Sequence, residues 1–443
     1  MTHLQKRLRL FFFFGCAILS PHLNIQAQQP QTQAQPVTPQ WIQTVSKQNQ
    51  LTGNWDGVRK YLSHYGIDVR ARYVGESASI YSGGSGQGSD YSDDLAIYMD
   101  AKLRRTLRLK GTTFHFSFDR RHGGSTSAHD LANNILAVQE GYGAGETNRI
   151  SELTIDESLL HKRVNVKVGD FIMGNDFART SALCDYENLG FCAHAESLPS
   201  DAAWADWPTA QLGARLRVFM QPNFYLEVAA FEANSLNKKP WNGFNLSFDG
   251  ATGAIFPLEL SLNSHAGAKA LPGTYKLGSY YDTSEAKDVN QSGQVVAGRY
   301  GGWLLTSQQI ASFSVDNSRG VNLYLQGTLS DKPSALMSSY LLGAVIAQGP
   351  MRSRPHDYVN FGCVHAGVNP RALRAESMHA LEEKAVDTTF ANAEIACEAG
   401  YGWQITPAIS FHPNFQYVRN PGAFTFSHVP NGWVFGTMTK FTF

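Results

Sequence analysis

Past its first 27 residues the 443-residue chain contains no run of about 18 apolar residues, which excludes a helical membrane protein. It also lacks an excess of either charge, with 37 Lys and Arg against 37 Asp and Glu. A leader carrying Lys6, Arg7 and Arg9 but no acid would, on removal, leave 37 less 3, or 34 bases, and a net charge of −3. Such a balance speaks against nucleic acid as a partner and against a pore driven by a strong field of one sign. Catalytic signatures are missing too. There is no Gly-x-Ser-x-Gly, no His-Glu-x-x-His and no phosphate-binding glycine loop, and the 14 histidines show no metal-ligand spacing. No enzyme activity, cofactor or metal is therefore expected, and a hydrolase with a dispersed site inside a barrel, or a secreted β-sandwich lectin, stand as the rival readings.

Cysteine is scarce. Of five, Cys16 falls in the leader, leaving an even four. Cys184 and Cys192 bracket a loop-like stretch and are the favoured local disulfide. Cys363 and Cys397 fall on strands expected to be neighbours, where a bridge and simple packing of small residues are both open.

What the chain does have is glycine, 40 residues, and aromatics at 12%, arranged in period-two segments. Residues 1–27 combine three bases with the apolar run Leu10 to Leu19 and read as a cleaved signal peptide. Residues 28–50 are a flexible Gln- and Pro-rich lead, and 51–443 a single domain. Asn54 to Gly66 has a cap, a stripe of Val58, Tyr61, Leu62 and Tyr65, and a glycine stop, predicting a short helix. The clearest strand spans Asp94 to Leu109, with Leu95, Ile97, Met99 and Ala101 on one face and Asp100, Lys102 and Arg104 on the other; Arg105 breaks the pattern. The last eleven residues place Trp433, Phe435, Phe441 and Phe443 on one face and Lys440 on the other. Long strands with one apolar and one charged face, an export leader and an aromatic terminus together predict an all-β, transmembrane antiparallel β-barrel of about 16 strands. Residues 81–92 are expected to be an external loop, and 128–140 a helix that caps the barrel or folds into it.

Several separated segments resemble the carbohydrate-selective porins of the OprB family. They are Leu51-Thr-Gly-Asn-Trp-Asp-Gly-Val-Arg59, Gly169-Asp-Phe-Ile-Met-Gly-Asn-Asp-Phe177, Pro208-Thr-Ala-Gln-Leu-Gly-Ala-Arg215, Gly298-Arg-Tyr-Gly-Gly-Trp303, Gly349-Pro-Met-Arg-Ser-Arg-Pro-His-Asp357 and His412-Pro-Asn-Phe-Gln-Tyr-Val-Arg-Asn-Pro-Gly422. The resemblance implies a 16-stranded outer-membrane barrel, a homotrimer, through which glucose and similar sugars diffuse. A general diffusion porin without sugar preference is the alternative. The four cysteines and the region 235–295 depart from the family pattern.

A sugar offers hydroxyls around its rim and C–H groups on its faces, so a selective pore needs facing hydrogen-bonding groups and an aromatic plate. Parity turns Arg70, Arg72, Glu76, Asp100, Arg104, Asp119, Arg215, Arg217 and Glu227 toward the lumen. Trp204 and Trp207 flank Asp206 and are candidates for sugar plates or for an interfacial girdle. The partners expected are small sugars and outer-membrane lipid.

Overall fold

The computed structural model describes residues 48–443 other than 143–144, 268–269, 291–292 and 386–387. The expected leader, and the lead up to residue 47, lie outside the described residues.

Eighteen strands follow one another: β1 (Ile67–Ser82), β2 (Ser89–Lys102), β3 (Thr112–Gly123), β4 (Thr147–Leu159), β5 (Val164–Phe171), β6 (Gln211–Gln221), β7 (Phe224–Ala233), β8 (Gly253–Ala266), β9 (Leu271–Asp282), β10 (Ala286–Lys287), β11 (Val295–Val296), β12 (Arg299–Ser312), β13 (Gly320–Ser330), β14 (Met337–Gln348), β15 (Tyr358–Val368), β16 (Ala393–Thr406), β17 (Ile409–Arg419) and β18 (Gly432–Thr442). Sixteen of them form a closed antiparallel barrel, each paired with its sequence neighbour, while β10 and β11 make a small ribbon of their own. Closure comes from β18 against β1, with Phe441 opposite Tyr73. The terminal Phe443 exchanges two backbone hydrogen bonds with Ala71, at 2.8 and 3.2 Å. The aromatic end of the chain thus removes the last free edge.

Connections differ sharply at the two ends. One end has short turns, such as Pro222-Asn223 and Pro407-Ala408, and also both ends of the barrel sequence. The other carries the long loops, above all 124–146, 172–210, 234–252 and 369–392. At the short-turn end the helix Val58–His64 forms, with Asn54 Oδ1 accepting from Lys60 N at 3.1 Å. Gly66 then turns into β1 at φ +86°, where a Cβ would stand 2.8 Å from the Lys102 carbonyl. Arg105, the break in the alternation, donates to the carbonyl of His64, the last residue of the helix.

Three expectations need correction. The strand from Asp94 ends at Lys102, not Leu109, because its partner β1 begins at Ile67 opposite Ala101 and nothing remains to pair with. Leu103 to Leu109 turn instead, closed by Leu107 N to Leu103 O at 2.9 Å. Half of residues 81–92 are strand, since β1 and β2 remain paired to Ser79 and Ser89, and the loop is 83–88. Within 128–140, helix is confined to Thr126–Asp130. Beyond it the backbone finds other acceptors: Glu394 takes Leu136 N at 2.7 Å, and Ser127 Oγ takes Val138 N at 2.9 Å. This segment folds inward. The region 235–295 holds the complete strands β8 and β9.

Not every inward face is wet. Adjacent Leu341 and Leu342 are 62% and 0% exposed, so β14 is apolar on both faces. Its inner face, with those of β15 and β16, packs Leu342, Ile346, Val364 and Ala396 against Leu136, Leu183, Tyr186 and Phe191 of the infolded loops. A second dry patch joins Phe171, Phe177 and Trp204 to Phe231, Tyr280 and Trp303. The two loops are therefore bonded to the wall by burial of large side chains, each contributing about 1.5–3 kcal/mol. Charged side chains line the inner faces of β1–β6 and continue as Glu227, Glu259 and Lys276 on β7, β8 and β9.

Candidate functional site

Loop 172–210 enters the barrel from β5 and is held by charge. Asp176 reaches Arg215 at 3.2 Å, Lys167 at 3.5 Å and Arg217 at 3.5 Å, all on β5 and β6. Arg215, only 3% exposed at its side chain, also meets Asp156 at 3.2 Å and Asn165. Arg217 pairs with the buried Glu227 at 2.7 Å and lies over the Tyr225 ring. The side chain of Gln211 secures the returning end, bonding Ala203, Ala205 and Glu232 backbone atoms. Cys184 and Cys192 are joined, closing a small ring within the loop. Cys363 and Cys397, opposite each other on β15 and β16, are joined as well.

Against β1 and β2 the loop presents Trp207. Its ring stacks on Tyr98 with centroids 6.1 Å apart and planes at 30°, and its Nε1 donates to Asp94 Oδ2 at 3.0 Å. Arg72 lies over the Trp207 ring and meets Asp94 at 3.3 Å. Arg70 lies over Tyr98 and pairs at 2.8 Å with Asp100, whose other oxygen meets His115 Nδ1 at 2.6 Å. From the loop side comes Arg179, bonded only to the neutral Ser181 and Asn175. Burial and the nearby Arg72 cation lower its pKa. Two wall guanidiniums, two aromatic rings and two carboxylates thus converge where the loop meets the wall, with Arg179 a third guanidinium on the loop side.

The remaining candidates do other things. Arg104 is not in a strand at all; it is exposed in the 103–111 turn, outside the lumen. Trp204 is neither plate nor girdle. It is fully buried, edge-on to Trp303 at 5.6 Å, as a wedge between loop and wall. Glu76 is fully buried and accepts from Gly141 N at 2.6 Å, anchoring loop 124–146. Asp119 is buried against Ser151. Sequence reasoning missed Tyr98 and Asp94, although they share parity with Asp100. Arg179, Asp176 and Asp206 carry no such signal, because period two has no meaning in an irregular loop.

Above this cluster, toward the long-loop end, opens a cavity of ≈ 430 Å³ bordered by Arg121, Glu140, Glu196, Asp206, Trp207 and Lys238. His194 Nε2 meets Asp206 Oδ1 at 2.8 Å. The pair shifts both partners, the carboxylate holding the imidazole pKa up against burial and the imidazolium holding the carboxylate down. Burial and the Asp206 charge push Glu196 up to about 8, and burial raises Asp201 to about 7. Burial lowers the pKa of Lys238, which donates to the Pro199 carbonyl at 2.9 Å.

The signs agree. A raised carboxyl pKa means the folded loop prefers the neutral acid, so its stability falls as pH rises from the unfolded value through the folded one. A raised imidazole pKa supplies stability that is present in acid and lost as pH rises through the folded value. The Glu196, Asp201 and His194 shifts are expected to loosen the loop at this lip as pH rises from about 4 to about 8, seen as rising conductance and current noise in planar bilayers. A flat profile over that window would contradict it.

Comparison with known proteins now bears on the geometry. The profile described as "Carbohydrate-selective porin, OprB family" matches residues 86–443. The chain belongs to the OprB family. It is 31% identical over 401 residues to Porin B of Pseudomonas aeruginosa, covering 84% of this chain and 87% of that one. The high-pH structure of Pseudomonas putida OprB superposes with a TM-score of 0.85 at 28% identity, over 90% of this chain and 99% of the other. This OprB-family chain is a sugar-selective porin of the bacterial outer membrane, with the family and fold of a channel. Its short-turn end therefore faces the periplasm and its long loops the outside, as in other outer-membrane barrels.

Proposed function

We propose that this pore passes monosaccharides such as glucose by passive diffusion, and that selection occurs between Trp207 and Tyr98 on one side and Arg70 and Arg72 on the other. The observation that carries this reading is the indole of Trp207, held by Asp94 and Arg72 where loop 172–210 meets β1 and β2. A ring face suits the C–H face of a pyranose, and guanidiniums suit its vicinal hydroxyls. Contacts of this kind, open to water, stay weak enough for release, which conduction requires.

Arg217, Glu227 and Arg215 are assigned the supporting role of holding the loop in place. The reading further takes residues 1–27 as a signal peptide removed on export, 51–443 as one porin domain, and three copies as the working assembly. In proteoliposomes the protein should admit glucose faster than uncharged polyols of equal size. Equal rates would reduce it to a general diffusion porin, and absence of swelling would remove the transport reading.

A further inference from the structure

On the periplasmic side of Arg179 lies a second, smaller cavity of ≈ 210 Å³, between loop 172–210 and strands β9, β12 and β13. Its lining differs from that of the outer cavity. Arg179 and Lys276 face it together with the hydroxyl residues Thr180, Ser181, Ser307 and Tyr324, and among the described residues no carboxylate borders it. Lys276 has a counter-ion in the fully buried Glu259, 3.0 Å away, whose other oxygen is taken by Trp303 Nε1 at 2.9 Å and Ala178 N at 2.7 Å. Arg179 has none. Its guanidinium bonds to Ser181 Oγ at 2.8 Å and to the Asn175 amide oxygen, both neutral, and makes no ion pair with a described carboxylate.

A half-buried guanidinium with no carboxylate in ion-pair contact, beside the Lys276 ammonium, leaves hydrogen-bonding capacity and positive charge facing a small space. Arg presents a planar fork that matches a carboxylate bidentately. The surrounding hydroxyls match a polyol chain, and the cavity is on the scale of one sugar unit. We propose that this cavity is a subsite for sugar carboxylates, aldonates or uronates, with Arg179 taking the carboxylate and Lys276 and the hydroxyls taking the polyol. Acidic sugars then cross the same pore as neutral ones, pausing one step after the Trp207 plate. The inference rests on the porin reading but not on the preference for glucose.

The test uses the full-length protein in proteoliposomes and planar bilayers. With labelled gluconate and labelled glucose as separate probes, the unaltered protein should admit both, and a potassium gluconate gradient should give a reversal potential that shows gluconate carrying current. Arg179→Gln should lower gluconate entry at least fivefold while changing glucose entry less than twofold, and Arg179→Lys should restore part of the gluconate entry. Gluconate excluded while glucose passes overturns the subsite and leaves the porin reading intact. Equal losses of both solutes in Arg179→Gln overturn it as well, since they would make Arg179 a prop for the loop. Should that variant fail to fold, as judged by heat-modifiable migration on a gel, competition decides: gluconate must slow glucose entry in the unaltered protein, and its failure to do so ends the proposal. Entry of neither solute would remove the porin reading and this subsite together.

Discussion

Replacing Arg215 with alanine is expected to raise single-channel conductance and abolish the advantage of glucose over polyols of equal size. The side chain is 3% exposed and serves Asp176 and Asp156 at 3.2 Å each, Asn165, and Glu227 at 3.8 Å. Breaking a buried pair by removing one partner costs about 3–5 kcal/mol, because a charge is left without compensation. Here the cost is borne by the loop and not by the barrel. The β5–β6 ladder, with Lys167 opposite Arg215, is made by backbone groups and keeps its register. Asp176 retains Lys167 and Arg217, both at 3.5 Å, so part of the anchor survives. Even about 3 kcal/mol shifts the loop between held and released states by roughly a hundredfold. Arg215→Lys is expected to recover little, since one ammonium cannot serve oxygens in several directions. The check is planar-bilayer conductance alongside gel migration of unboiled protein. Unchanged conductance and selectivity in a folded Arg215→Ala barrel would show that the ion cluster does not hold the loop.

Replacing Trp207 with alanine should leave conductance near normal and cut the glucose-to-polyol rate ratio roughly fivefold, the equivalent of about 1 kcal/mol for one ring face. The indole stacks on Tyr98, and its N–H is one of two donors reaching Asp94 Oδ2, the other being Arg72. Trp207→Phe separates the two roles. It keeps a ring face but not the donor, and should preserve most of the ratio if the plate matters more than the hydrogen bond. Swelling rates with paired solutes of matched size provide the measurement. A ratio untouched by Trp207→Ala would move selection away from the plate.

The barrel was open to inspection in the sequence because its physics is local. Every second residue of Val164 to Val168 or Leu323 to Leu329 meets lipid, and a residue in lipid must be apolar whatever its partners are. The same logic placed Arg70, Arg72 and Asp100 on the inner face, where they are found. It failed where local pattern and pairing partner parted company. The Leu-Arg alternation through Leu103 to Leu109 persists past the point at which β1 can supply hydrogen bonds, so the strand stops and Arg104 leaves the lumen. It failed again on β14, where Leu341 and Leu342 are both apolar for different reasons, one for lipid and one for the infolded loop.

The site itself was only half visible. Trp207 and Trp204 stand three residues apart in the same loop and carry the same indole. One is part-exposed and stacks on Tyr98, and the other is sealed against Trp303. Nothing in their neighbouring residues separates those roles, and the same is true of Arg179 and Asp176. An irregular loop has no period from which to read direction; its side chains point where distant strands offer a pocket or a counter-charge.

The amino-acid order alone determined that this chain closes into a membrane cylinder ending on Phe443, since alternation against lipid is a property of neighbouring residues. Only the tertiary structure decided which loop folds into that cylinder and where it is held. Loop 172–210, the proposed constriction, is fixed by burial and ion pairs to strands far away in sequence, so its position exists only once the chain has brought them together.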